Sequence, residues 1–147
     1  MSRSRVLAVL AIGACCAPAA PAAASSSTAS ARMVTKLNEF RAKRGLPTLR
    51  HAPRLEQSGS AHARRLIAGD YLAHASFSAP FRTKGEVIAM HRGARFRASI
   101  TIRRWLRSPS HRPLLLSRAF RYVGAGRATG NFAGRRATVW VLRFGGR

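Results

Sequence analysis

The stretch FRYVGAGRATGNFAGRRATVWVLRFG, residues 120–145, decides how the chain folds. From Thr138 to Phe144, Trp140, Leu142 and Phe144 alternate with Val139, Val141 and Arg143. A period of two is the mark of a strand, whose successive side chains point to opposite faces. Phe120 to Gly126 reads as a second strand, and the Gly130–Gly134 stretch between them has turn composition. The pair is therefore expected as a hairpin.

Upstream the period changes. Ala98, Ile102, Trp105 and Leu106 recur at helical spacing, and Ser108–Pro109 breaks that helix and starts a short one over roughly residues 109–116. Residues 71–96 lack clean periodicity and read as loop with short extended pieces. Before them, Pro53 opens a helix whose face carries Leu55, Gly59, His62 and Leu66, and which ends near Gly69. Glycine in mid-helix is unfavourable unless a neighbour packs closely there. Met33, Val34, Leu37 and Phe40 mark a first helix, stopped by Gly45 and Pro47. Helices and an antiparallel sheet in one small chain point to an α+β domain.

The N-terminus reads as an export signal. Arg3 and Arg5 precede the uncharged apolar run 6–17, followed by an Ala/Pro/Ser tract. That run is shorter than the about 20 residues a membrane span needs. Residues 1–24 are assigned to a signal peptide, 25–32 to a linker and 33–147 to the domain. A competing reading takes Ile12–Gly13–Ala14–Cys15 as a lipobox, with Cys15 lipidated and the protein anchored rather than secreted or periplasmic. Cys15 and Cys16 are the only cysteines, so a domain cleaved after Ala24 has no disulfide.

Charge is the outlier. The 147 residues hold 27 Lys and Arg against 4 acids, a net charge of +23. Loss of Arg3 and Arg5 with the signal would leave +21. Such a surface attracts anionic polymers and anionic lipid surfaces, with a strength that falls as salt rises. No DNA-reading motif is present, so no specific nucleic-acid partner is expected.

Seven segments, in order, carry a family resemblance: LNEFRAKRGLPTL (37–49), LEQSGSAHARRL (55–66), LAHAS (72–76), GEVIA (85–89), WLRSPSHRPLLLS (105–117), YVGAG (122–126) and VWVLRFG (139–145). Together they resemble the CAP superfamily of cysteine-rich secretory, antigen 5 and pathogenesis-related proteins, and most of all its cysteine-free bacterial branch. The resemblance covers nearly all of residues 33–145. It implies an α-β-α sandwich with a central antiparallel sheet and a cleft where His74, Glu86 and His111 meet. Three positions depart from the family pattern. Val87 stands where an Asn usually follows the Glu, Gly59 replaces a small alanine, and Ser108 sits near the place of a second cleft acid.

Two neutral imidazoles can bind a divalent metal such as zinc. His74 and His111 are the candidate ligands. Glu86 is a candidate third ligand, or a holder of metal-bound water. Glu86 lies between Gly85 and the apolar run 87–89, so its carboxylate is expected to be partly buried and paired, with His74 or His111, or with an arginine. Ser76 and Ser110 are candidates to orient the two histidines. His62 reads as structural, Asp70 as a turn residue, and Trp105, Trp140 and Phe144 as core. Neither HExxH nor GxSxG occurs, so an enzyme is not the first expectation. Three functions stay open. One is an envelope module binding a small ligand, lipid or metal in the cleft. Another is a metal-assisted hydrolase with Glu86 as general base. The third is a charge-driven binder of anionic envelope polymers.

Overall fold

A computed structural model of the chain describes residues 22–93 and 97–147, with side chains from residue 28. The elements run α1 (Ala22–Ala42), β1 (Arg50–His51), α2 (Pro53–Ala68), β2 (Thr83–Arg92), α3 (Ala98–Arg107), α4 (Arg112–Leu116), β3 (Tyr122–Phe132) and β4 (Arg135–Gly146). The sheet order is β1-β3-β4-β2, and β4 is antiparallel to both β3 and β2. Only the two-residue β1 is parallel to its neighbour. The domain is the expected α+β sandwich, with α2 on one face of the sheet and α1, α3 and α4 on the other.

The alternation along β4 sorts its side chains between the two layers. Trp140, Leu142 and Phe144 join Met33 and Leu37 of α1, Ile102 and Trp105 of α3, and Leu115 of α4. Val139 and Val141 pack on Ala63 and Leu66 of α2. Both faces are covered, which is why the stretch from Val139 to Phe144 reads as apolar apart from Arg143.

The hairpin turns tightly at Ala133 and Gly134, both at positive φ (48° and 74°). Two consecutive left-handed residues match a two-residue hairpin loop, so β3 runs on through the glycine-rich stretch assigned to the turn. Asp70, itself at φ 53°, accepts the Ala133 N–H at 2.7 Å and ties the end of α2 to this turn.

Two expectations need correction. The loop over 71–96 contains the ten-residue strand β2, paired along its length with β4. Its residues hide the period because α2 covers Ile88 and Met90 while Val87 enters the opposite core. The linker 25–32 lies inside α1. Alanine favours helix, Ser30 is buried, and Ala29 packs on the core. Residues 1–21, with most of the signal assignment and Cys15, lie outside the described residues.

The close neighbours that Gly59 requires are β3 and β4. A Cβ on Gly59 would lie 2.9 Å from the Val141 carbonyl oxygen, and one on Gly126 would lie 2.1 Å from the Gly59 carbonyl carbon and the Ser60 nitrogen. Backbone meets backbone there, with no flexible side chain to yield. Gly126→Ala is expected to destabilise the domain by on the order of 3 kcal/mol through overpacking. Gly130→Ala, whose Cβ would meet the Ile67 side chain, should cost clearly less. Urea denaturation of both variants measures the difference.

Candidate functional site

Glu86 is the centre of the site. It faces Arg143 directly across the β2–β4 pair, on the sheet face that α2 covers. Arg143 donates from Nε to Oε2 at 2.9 Å. His62, in the buried stripe of α2, brings Nδ1 to 3.0 Å from the same oxygen. The other oxygen, Oε1, receives the Ala75 N–H at 3.3 Å and the Nδ1 of His74 at 3.0 Å. A carboxylate offers about four lone-pair sites, and here four donors occupy them. Arg143 Nη2 also lies 3.2 Å from His62 Nδ1. The carboxylate is the stronger acceptor, so the proton on His62 Nδ1 is assigned toward Glu86.

Burial alone would raise the Glu86 carboxyl. The bonds from His62, His74, Arg143 and the Ala75 N–H outweigh it and hold the group below the ordinary carboxylate range. Glu86 is therefore ionised at neutral pH although its side chain is only 6% exposed.

The same carboxylate positions a loop with no regular structure of its own. His74 and Ala75 are both held by Glu86, and the Phe77 ring lies under the Arg143 guanidinium at 4.3 Å. The His74 side chain stays 61% exposed while its Nδ1 is anchored. An Nδ1–H donating to a carboxylate leaves Nε2 as the lone-pair nitrogen.

His111 arrives from the other sheet face. Ser108 ends α3 in an extended conformation before Pro109, and His111 immediately precedes α4. Its Nδ1 is 2.7 Å from Ser108 Oγ and 3.4 Å from Ser110 Oγ. Burial first, then the nearby His74, pushes its pKa below the usual histidine value. The His74 and His111 rings are 6.4 Å apart, centre to centre.

The structure thus brings His74 to Glu86 and places His111 beside His74, but His111 bonds to Ser108 and not to Glu86. Of the two serines expected to orient the histidines, Ser110 reaches His111, with Ser108 the closer partner. His62 and Arg143 are members the sequence reading missed. Each carried a signal: His62 is an ionisable group within a buried helical stripe, and Arg143 is a charge within the apolar run 139–144.

These residues fit a metal only in a limited way. Zinc–nitrogen bonds of 2.0–2.1 Å in tetrahedral geometry put two imidazole centres about 5 Å apart, so these rings must close by about 1 Å. Glu86 has no lone pair left to be a third ligand. Among the described residues no group of three or more His, Cys, Asp or Glu is arranged to hold a metal ion. What fits is an open two-histidine site, with Glu86 and Ser108 orienting the ligand rings.

The family model for CAP, the cysteine-rich secretory protein family, matches residues 34–144. The chain belongs to this family. An outer surface protein of Borrelia burgdorferi superposes with a TM-score of 0.64 at 21% identity, covering 78% of this chain and 90% of that one. An extracellular SCP-domain protein of Bacillus anthracis gives 0.66 at 18%, covering 83% of this chain and 41% of that one. Venom allergen-like protein 4 of Schistosoma mansoni gives 0.60 at 11%, covering 80% and 88%. At these identities the likeness is one of fold. No curated protein matches the chain.

Removing Glu86 leaves the Arg143 charge buried without its partner, so Glu86→Ala is expected to destabilise this CAP domain by about 3–5 kcal/mol. Replacing both by apolar residues, as in Glu86→Leu with Arg143→Met, should recover much of that loss in urea denaturation while releasing His74. Acid should act in two stages. His111 and Glu86 both have folded pKa values below their unfolded ones, so the unfolded chain binds more protons on acidification. Each contribution is complete above the unfolded value, 6.5 and 4.5 respectively, and is lost as pH falls through the folded value. His111→Gln should flatten part of the fall in melting temperature that begins near pH 6.5. His91, lowered by burial and then by Arg104, contributes to the rest.

Proposed function

We propose that this protein is an exported CAP module of the bacterial cell envelope that binds a ligand or a divalent metal through His74 and His111. The observation that carries the reading is the anchored but exposed His74. Two buried contacts, from His62 and Arg143, fix Glu86, Glu86 fixes Nδ1 of His74, and the His74 ring lies beside the neutral His111. Export is supported by the signal-like N-terminus and by the extracellular and outer-surface descriptions of the two bacterial neighbours.

The alternative hydrolase needs Glu86 as a general base. A general base works best with a pKa near the operating pH, and Glu86 is shifted the other way, with its lone pairs occupied. Binding is therefore favoured over hydrolysis. A bound zinc would supply Lewis acidity. The chain's own part is to orient two imidazoles and leave the other positions open.

Calorimetric titration of zinc into residues 25–147, beside the His74→Ala, His111→Ala double variant, tests the site. One-to-one binding lost in the folded variant is the expected result. No binding by the folded wild type rules out the metal and leaves a metal-free ligand cleft. Ser108→Asp places a carboxylate where Ser108 Oγ now meets His111 Nδ1. It should tighten zinc binding about tenfold, the usual size of an outer-shell effect.

A further inference from the structure

A second feature lies at the β1–β3 edge of the sheet, built from residues the cleft does not use. A pocket of about 510 Å³ is lined there by Arg50, Arg118, Arg121, Arg147, Thr48 and Tyr122. Four arginines converge on it, and no aspartate or glutamate is among its lining residues.

Nor can another acidic side chain of this chain serve them. All four acids lie among the described residues and all four are engaged elsewhere. Glu39 pairs with Lys36, Glu56 with His51, and Asp70 accepts the Ala133 N–H. Glu86 is held by His62, His74 and Arg143. Two of the four pocket arginines are steadied by carbonyl oxygens instead. Arg118 donates from Nη2 to the Gly45 carbonyl at 3.1 Å, and Arg121 donates from Nη1 to the carbonyls of Arg118 and Phe120. A guanidinium has five N–H donors, so each retains donors for a ligand. The backbone beneath is firm: the Arg50 N–H donates to the Arg121 carbonyl and the Arg121 N–H to the Gly145 carbonyl, at 2.8 and 2.9 Å.

The positive field is felt by a neighbour. Arg41, fully buried behind these residues, has its pKa lowered by burial and then by the charges of Arg121 and Arg118. Four like charges around one hollow, with no Asp or Glu partner, make a site that an anion completes. Planar guanidinium forks suit the paired oxygens of phosphate, and several forks suit more than one phosphate group.

We propose that this pocket is a phosphate-binding site, separate from the histidine cleft, that takes a multiply charged phosphate-bearing ligand. It locates on named residues what net charge alone would spread over the surface.

The test titrates inorganic tripolyphosphate into the full domain by calorimetry, in metal-free buffer at moderate salt. The wild type should bind one-to-one. Arg118→Gln with Arg121→Gln should lose affinity by about tenfold or more, the effect of removing charged donors. Arg50→Gln, an exposed change on β1, should lose about tenfold by the same argument and stands in if the double variant does not fold. Two controls fix the location. Arg103→Gln with Arg107→Gln removes the same charge from the exposed face of α3 and should bind as the wild type does. So should the His74→Ala, His111→Ala variant, whatever the fate of the cleft reading. Equal loss in the α3 control, or no saturable binding by the wild type, overturns the proposal. Flotation with phosphatidylglycerol–phosphatidylcholine vesicles separates the sources. Wild-type retention lost in Arg50→Gln assigns a lipid headgroup, and binding of tripolyphosphate without retention assigns a soluble phosphate or polymer.

Discussion

The ion pair between Glu86 and Arg143 is the constraint on which the rest of the site depends. It joins two neighbouring strands across their register, is shared with His62 from the helix above, and lies almost wholly out of water. Taking two such charges from water is expensive, and the attraction between them repays the cost only when further hydrogen bonds complete the shell. Here His62, His74 and the Ala75 N–H complete it. A buried pair of this kind contributes less to net stability than to the choice of one arrangement. The 71–82 loop satisfies Oε1 through His74 and the Ala75 N–H, and in that placement the His74 side chain stays exposed.

The glycine contacts between α2 and the sheet make this geometry reachable. His62 is one turn along α2 from Gly59, where the helix backbone lies against Gly126 of β3 and the Val141 carbonyl of β4. Side chains at these positions would lift α2 off the sheet and carry His62 away from Oε2. A packing requirement at two glycines is thus coupled to the electrostatics of the site. The substitution of Gly59 for a usual alanine belongs to the same contact.

Much of this was legible before any coordinates. The helices followed from period and punctuation and the β3–β4 hairpin from alternation, while the ordered resemblance pointed to His74, Glu86 and His111, of which His74 and Glu86 are hydrogen-bonded. The rest was hidden for physical reasons. Strand β2 is covered on both sides, so Val87, Ile88 and Met90 showed no alternation to read. Residues 25–32 look like a linker by composition, yet alanine is also the best helix former, and only the burial of Ser30 and Ala29 against the core decides between the two. His62 could be recognised as buried, but its partner is 24 residues away on another element. Arg143 was one of many arginines, and only its register opposite Glu86 separates it from the others.

That excess of arginine shapes the architecture as well as the surface. With four acids available, three of them join different parts of the fold: Glu56 of α2 holds His51 of β1, Asp70 holds the hairpin turn, and Glu86 holds the cleft. The arginines cannot be matched in this way, and several are fixed by carbonyl oxygens instead. Arg41 clasps the carbonyls of Pro47, Leu115 and Ser117, binding the ends of α1 and α4 together, and Arg92, Arg112 and Arg118 make similar bonds. A carbonyl dipole orients a guanidinium but does not neutralise it. The fold therefore gains rigidity from its arginines while nearly all of their charge persists, concentrated wherever several are fixed side by side. On the proposed reading of the arginine pocket, a fixed cluster at a concave place would select among anions in a way that a mobile positive surface would not.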